Sequence, residues 1–363
     1  MAHDVTLIPG DGIGPEVCAA ACRAIEATGV EITWDVQQAG AAALERSGWA
    51  LPEATLASIR ERGVALKGPV STPSGSGVRS VNIALRNALD LYAGVRPCRS
   101  FEGAPGPFED VDVVLVRMTG EDLYAGIEFA AGEAATRRLL GLIAEAGHPE
   151  PPADTGISIK PISRTAAARL ARRALSYART TGRRRATVIH KATVMRSTDG
   201  VFLAAARQVA EREFPDLALD DCLVDTACHR LVRRPGDFDV LVAPVLYGDL
   251  LSDLCAGLVG GLGLAPGANL GDEHAVFEAV HGSAPRHAGR DVANPMAVIL
   301  SGAMLLRHLG EADAADRLEA GVAAVVRDGE QVTYDLRAAG DPRPPCGTAA
   351  AGSAVAAAVA ASS

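Results

Sequence analysis

Aromatic side chains are nearly missing from this chain. Phe, Trp and Tyr make up 4% of its 363 residues, so the core must be built from the aliphatic residues that carry the hydrophobic share to 48%. Positive charge is also in deficit, and a formal net charge of −9 argues against nucleic acid or an anionic membrane surface as partner. No apolar run reaches the ~20 residues needed to span a bilayer. The seven cysteines are odd in number and include no C-x-x-C pair. Cys18 and Cys22, one helical turn apart, read as buried small hydrophobes rather than as metal ligands. That usage suits a reducing compartment, and no basic, apolar leader precedes the first strand-like run. The expectation is a soluble cytoplasmic protein.

What the sequence does have is alternation. Short β-branched runs ("VTLIPG", "GVALKGP", "VDVVLVR", "ATVIHKA", "FDVLVAP") are each followed by helical stretches such as "TAAARLARRALSYARTT". The pattern predicts an α/β protein with a largely parallel sheet, as two domains or one large one. "AGHPEPPADTG", Ala146 to Gly156, is the most linker-like segment, and the alanine-rich tail reads as a final helix that frays. "GLVGGLGLAPGANLGDE" is dense in glycine, which implies close backbone approach or positive φ, a bound ligand being one reason.

The opening "VTLIPGDGIGPEV" carries Gly10, Gly12 and Gly14. A dinucleotide-binding turn reads G-x-G-x-x-G, whereas this run is G-x-G-x-G followed by Pro15, and it fails at the third glycine. Asp35 lies near the distance expected of a ribose-binding carboxylate, but it serves equally as a strand-edge residue. The pattern predicts a strand, a tight glycine turn and a helix entered at Pro15.

Three groups of residues have chemical potential. In "YGDLLSDL", Asp249 and Asp253 share a helix face, which suits Mg²⁺ or Mn²⁺ and equally suits a solvated acidic surface; Asp225 follows a strand-like run. Arg79, Arg86, Arg96, Arg99 and Arg117 form a local cationic excess that would grip a polycarboxylate, or else are ordinary surface arginines. Lys191 and Tyr124 are an acid or base if their pKa values are tuned, and otherwise structural.

Taken together, "VTLIPGDGIGPEV", "LKGPVSTPSGSGVRSVNIALRNALDLYAGVRP", "EDLYAGIEF", "IHKATVM", "YGDLLSDLCAGLVGGLGLAPGAN" and "FEAVHGSAPRHAGRDVANP" resemble the β-decarboxylating dehydrogenases. That family comprises isocitrate, isopropylmalate and homoisocitrate dehydrogenases, and the resemblance runs in the same order over nearly the whole chain. It implies a non-Rossmann α/β fold with two domains around a central cleft: residues 1–92 and 258–363 as the large, cofactor-binding domain, and 93–257 as a small domain with the dimer contact and metal site. It implies that Asp249 and Asp253, with Asp225 from a second subunit, hold Mg²⁺ or Mn²⁺, and that Arg86, Arg96 and Arg117 clamp the substrate's carboxylates. Lys191, also from the second subunit, would take the hydroxyl proton, and Tyr124 would protonate the enol left after CO₂ departs. A homodimer follows from the shared site.

Within the family, Lys67, Thr72, Ser80 and Asn82 match positions that meet substrate or nicotinamide in the isocitrate branch. Glu278, His281, Gly282, Ser283, Ala284, Asn294, Tyr334, Asp335 and Arg234 fall at cofactor positions. Arg286 and His287 resemble the Lys–Tyr pair of NADP-dependent bacterial members, so NADP is expected ahead of NAD. The sequence departs from the family at Met118, Thr119 and Gly120 ("RMTGE"), Thr193 ("HKAT") and Val245 ("VLYGD"). These departures suggest a retuned site. The substrate would be isocitrate or a close 3-substituted malate analogue, phosphonate-bearing analogues included. The alternative is a non-catalytic regulatory subunit.

Overall fold

A ten-stranded mixed sheet runs through the computed structural model, which describes residues 2–72, 80–337 and 340–362. Arg79 lies outside the described residues. The strands are β1 (His3–Ile8), β2 (Ile32–Val36), β3 (Val64–Lys67), β4 (Ala93–Arg99), β5 (Asp112–Met118), β6 (Glu128–Phe129), β7 (Ile157–Ser158), β8 (Arg185–His190), β9 (Ala218–Leu223), β10 (Val240–Ala243), β11 (Ala268–Leu270) and β12 (Ala275–Glu278). The order in the sheet is β2-β1-β3-β12-β11-β4-β5-β10-β8-β9, and β6 and β7 form a separate two-stranded ribbon. The blocks β2-β1-β3-β12 and β5-β10-β8-β9 are each parallel. Three antiparallel pairings separate them, so the two blocks run in opposite directions.

Helices cover both faces, as buried parallel strands require. Val114 and Val116 of β5 pack with the helices Arg164–Thr180 and Asp199–Glu213. The alternate residues Val113 and Leu115 pack with Val224–Arg233 and Val245–Leu258 on the other side. A further cluster joins β1, β3 and β12 to Gly14–Glu26, Met296–His308, Ala312–Asp328 and Thr348–Ala361. The last of these helices does not fray, contrary to the sequence expectation. Ala351, Val355 and Val359 are buried, and Gly352 approaches so near that an added Cβ would stand 2.6 Å from that of Ala20. The Ala146–Gly156 stretch is a loop between the helix Ala134–Glu145 and β7.

The glycine turn is structural. Gly10 and Gly12 have φ of +77° and +61°, and a Cβ on them would stand 2.1 Å from the Pro69 carbonyl oxygen and 1.9 Å from that of Ser283. Between them, Asp11 accepts hydrogen bonds from the backbone N–H of Ala41, Ala42 and Ser71. The turn therefore holds together two loops that border the cleft described next. Asp35 is committed elsewhere, to Ser58 at 2.7 Å, Gln37 at 3.0 Å and Arg62 at 3.2 Å.

Candidate active site

The register of the sheet assembles a row of charge. Lys67 of β3 stands opposite Glu278 of β12, and Gly94 of β4 lies opposite both Asn269 of β11 and Arg117 of β5. Cross-strand neighbours share a face, and so do residues two apart on one strand. Lys67, Glu278, Asn269, Arg96 and Arg117 therefore project to one side. Glycines make room for the guanidinium groups. A Cβ on Gly267 would lie 1.8 Å from Arg96 Nη1, and one on Gly248 would lie 2.4 Å from Arg117 Cβ.

Glu278 is the counter-ion of this cluster. Its carboxylate meets Lys67 Nζ at 2.5 Å, Arg86 at 2.9 Å and Arg96 at 3.8 Å, and accepts from Asn269 Nδ2 at 2.7 Å. Burial pushes the carboxyl up, but the three cations outweigh it and hold Glu278 well below the usual range. The resemblance puts Glu278 at a cofactor position; within this chain its contacts are Lys67, Arg86, Arg96 and Asn269. Burial pulls Arg96 down to about 10, the other guanidinium groups adding to the effect, so it stays charged at neutral pH. Arg86 Nε, Arg96 Nη1 and Arg117 Nε are buried with no hydrogen-bond partner among the described residues. Arg86 and Arg96 share Glu278 with Lys67, Arg117 pairs with Asp249, and all three guanidinium groups keep a donor to spare.

These residues line a cavity of about 320 Å³, with Ser80, Asn82, Tyr124, Asp249, Asp253, His281 and Gly282 on its wall. Asp249 and Asp253 project from the helix Val245–Leu258. Asp249 pairs with Arg117 at 2.9 Å and accepts from the Tyr124 hydroxyl at 2.6 Å. Burial and that carboxylate push Tyr124 up to about 12, a value that keeps its proton available for donation. Asp253 is raised as well, by burial and then by the like charge of Asp249. Two carboxylates that repel one another beside an open cavity fit a hard divalent cation, which would relieve the repulsion. Among the described residues of this chain, no third acidic, His or Cys residue completes a ligand group.

Not every expected residue reaches the cavity. Lys191 and Asp225 pair with each other at 2.7 Å and do not line it. Thr72 accepts from the Val81 N–H at 3.2 Å, at the start of the helix Val81–Ala88, and Arg99 is exposed at the end of β4. A second, smaller cleft of about 110 Å³ gathers His281, Ala284, His287, Asn294, Tyr334 and Asp335, with the rings of His287 and Tyr334 stacked 6.2 Å apart. Gly282 and His281 connect it to the first cavity. Ser283 is bonded to Ser71 at 2.7 Å, and Arg286 lies beyond the lining. Arg234 is not brought to this cleft in the single chain: it sits at the end of the helix Val224–Arg233 and pairs with Asp237 at 3.4 Å.

The departures from the family pattern lie off the wall. Met118 and Val245 are buried core residues, and Thr119 spends its hydroxyl on the Leu91 carbonyl. None of Met118, Thr119, Gly120, Thr193 and Val245 lines either cleft.

The isocitrate/isopropylmalate dehydrogenase family model matches residues 4–355. The chain belongs to that family. It is accordingly a β-decarboxylating dehydrogenase with the family's α/β fold. The Homo sapiens protein named mitochondrial isocitrate dehydrogenase (NAD) subunit alpha is 43% identical over 333 residues, covering 92% of this chain and 85% of that one. The Arabidopsis thaliana protein named mitochondrial isocitrate dehydrogenase (NAD) catalytic subunit 5 is 42% identical over 332 residues, 91% and 83% of the two chains. The crystal structure of isocitrate dehydrogenase from Methylococcus capsulatus superposes with a TM-score of 0.89 at 48% identity, over 99% of each chain. The NAD in two of these family names runs against the NADP expectation. Their mitochondrial location leaves the cytoplasmic expectation without support, although no helix among the described residues is long and apolar enough to cross a membrane.

Proposed function

We propose that this chain oxidatively decarboxylates isocitrate to a 2-oxo acid and CO₂, using NAD⁺ and a divalent metal. The observation that carries the reading is the set of spare buried donors on Arg86, Arg96 and Arg117 around a cavity that also presents Asp249 and Asp253. Guanidinium donors held desolvated in fixed positions suit carboxylate groups, which they bind at the least reorganisation cost. Mg²⁺ or Mn²⁺ would be held by Asp249 and Asp253 with Asp225 of the partner subunit, and would supply Lewis-acid polarisation of the substrate's C2 oxygen. NAD⁺ in the second cleft, along His281–His287, Asn294, Tyr334 and Asp335, would supply the hydride acceptor. Lys67, Asn82 and the three arginines orient the substrate. Lys191 of the partner subunit accepts the hydroxyl proton, and Tyr124 returns a proton to the enol carbon.

The homodimer and the division into residues 1–92 with 258–363 and residues 93–257 belong to the same reading. It is supported by the core, where one cluster draws on residues up to Leu66 and from Leu264 onward and another on Ala93 to Val245. Exposed Ile127, Leu142, Ile159, Val194 and Leu250, all within 93–257, support a dimer contact there. NAD is preferred to NADP because the relatives bear that cofactor in their names. The case for a phosphonate or other analogue substrate rests on the departures; Met118, Thr119, Gly120 and Val245 leave this chain's cavity wall untouched, and Thr193 belongs to the Lys191 stretch that the partner subunit would contribute. The same point, with the site set retained, disfavours a silent regulatory subunit.

Absorbance of reduced nicotinamide tests this directly, with purified protein, Mn²⁺, isocitrate and either NAD⁺ or NADP⁺. Turnover with NAD⁺ is expected, falling by at least ~10²-fold in Asp249→Asn. Silence with isocitrate but turnover of another 3-substituted malate would move the substrate assignment, and silence on all would reinstate the regulatory reading.

A further inference from the structure

The candidate acid Tyr124, the candidate base Lys191 and the acidic helix of Asp249 and Asp253 come from three separate stretches of chain. One buried group of charges touches all three. Asp122 and Asp199 are each 0% exposed. Lys160 reaches both, at 3.6 Å to Asp122 and 2.6 Å to Asp199, and its Nζ lies 4.7 Å from the centre of the Tyr247 ring.

Each carboxylate then holds backbone that matters. Asp199 Oδ2 accepts the Lys191 N–H at 2.6 Å, and the next N–H, of Ala192, is taken by His190 Nδ1 at 3.0 Å. Asp122 Oδ2 accepts the Leu246 N–H at 3.0 Å, satisfying one of the open donors in the first turn of the helix that carries Asp249 and Asp253. Its Oδ1 accepts the Leu123 N–H at 2.8 Å, and its own N–H donates to the Pro161 carbonyl at 2.9 Å, next to Lys160. Asp122 holds a φ of +65°, a left-handed conformation that a non-glycine residue adopts only under surrounding constraint. That conformation opens the turn Asp122–Ala125 on which Tyr124 sits.

We propose that Lys160 is a positioning residue for the reaction. By joining Asp122 to Asp199 it fixes the turn of Tyr124, the backbone of Lys191 and the start of the Asp249 helix as one rigid unit. The inference rests on the dehydrogenase function proposed above. Lys160 lines neither cavity, and Lys67, Arg86 and Arg96 are held by Glu278 rather than by the Lys160 group, so most of the carboxylate clamp does not depend on it. Two buried carboxylates cannot share one space without the cation between them. Removing it therefore disturbs the acid and the metal helix in one site and the base that the same chain lends to the other, while Lys67, Arg86 and Arg96 keep their anchor on Glu278.

The test uses the full-length protein with isocitrate, NAD⁺ and Mn²⁺, comparing Lys160→Met and Lys160→Arg with the wild type. Kinetic constants are read per folded molecule, with folding followed by thermal unfolding. The expected result is a kcat lowered by ~30-fold or more in Lys160→Met with KM for isocitrate within about threefold of wild type, and recovery in Lys160→Arg to within about threefold. If Lys160→Met does not fold, Asp199→Asn serves instead. Its amide oxygen still accepts the Lys191 N–H while the pairing charge is gone, and a kcat loss of ~10-fold at unchanged KM is expected. Unchanged kcat in the folded variant, or kcat and KM altered in proportion, would overturn the positioning role. A wild type silent toward isocitrate would instead sink the dehydrogenase reading, and this inference with it.

Discussion

At the scale of single residues, Glu278 has the most distinctive environment. It is a buried carboxylate between Lys67, Arg86 and Arg96, and its depressed folded pKa ties stability to pH. A carboxyl depressed on folding contributes stability that is present above its unfolded value of ~4.3 and is lost as pH falls through the folded value. The wild type should therefore lose thermal stability progressively below about pH 4.5 in part through this group. Glu278→Gln leaves buried cations without their charge partner and should cost ~3–5 kcal/mol at neutral pH. Its melting temperature should also fall less steeply between about pH 4.5 and 3. Thermal unfolding across that range checks both, and an equal melting temperature for the two proteins at pH 7 would contradict the cluster's role. The arginine cluster as a local excess was visible in the sequence. Its internal counter-ion was not, because Glu278 lies 192 residues from Arg86 and only strand pairing makes them neighbours.

At the scale of elements, the helix Val245–Leu258 has to lie hard against β5. Gly248 permits this, since its missing side chain is where the Cβ and Cδ of Arg117 sit. Arg117 Cβ is fixed to the strand and cannot swing away, so in Gly248→Ala the helix itself must shift. We expect a loss of ~1–3 kcal/mol by urea unfolding, with a rise in KM for isocitrate as Arg117 is displaced. A variant as stable as the parent would show that the helix has slack. The i, i+4 spacing of Asp249 and Asp253 was legible as a shared helix face. The role of Gly248, just before Asp249, was not, because a close approach depends on what stands opposite. The same limit applies to the terminal helix, which composition alone marked for fraying and which Gly352 allows to pack on Ala20.

At the scale of the molecule, one chain presents Tyr124, Asp249 and Asp253 on a cavity wall while its own Lys191 and Asp225 stand away from it, bound to each other. If two copies complete each other's sites, Lys191→Met and Asp249→Asn proteins, each inactive alone, should regain activity when unfolded and refolded together. A mixed dimer then holds one site with both substitutions and one with neither, and a random mixture recovers about a quarter of wild-type activity. No recovery, with mixed dimers confirmed by mass, would place both residues in one chain's site and remove the argument for sharing.

The sequence by itself determined the alternating α/β architecture, the failure of the N-terminal glycines as a dinucleotide turn, the family, and most of the residues around the two clefts. Those features are local: periodicity, glycine spacing and short motifs need no distant neighbour to be read. Only the tertiary structure decided that Glu278 balances the arginines, that the family departures stay off the described cavity walls, and that Asp122, Lys160 and Asp199 form one buried group. Each depends on pairings between residues far apart in the chain. Burial fixes the energy of a charge, and burial exists only once the sheet and its covering helices have closed around it.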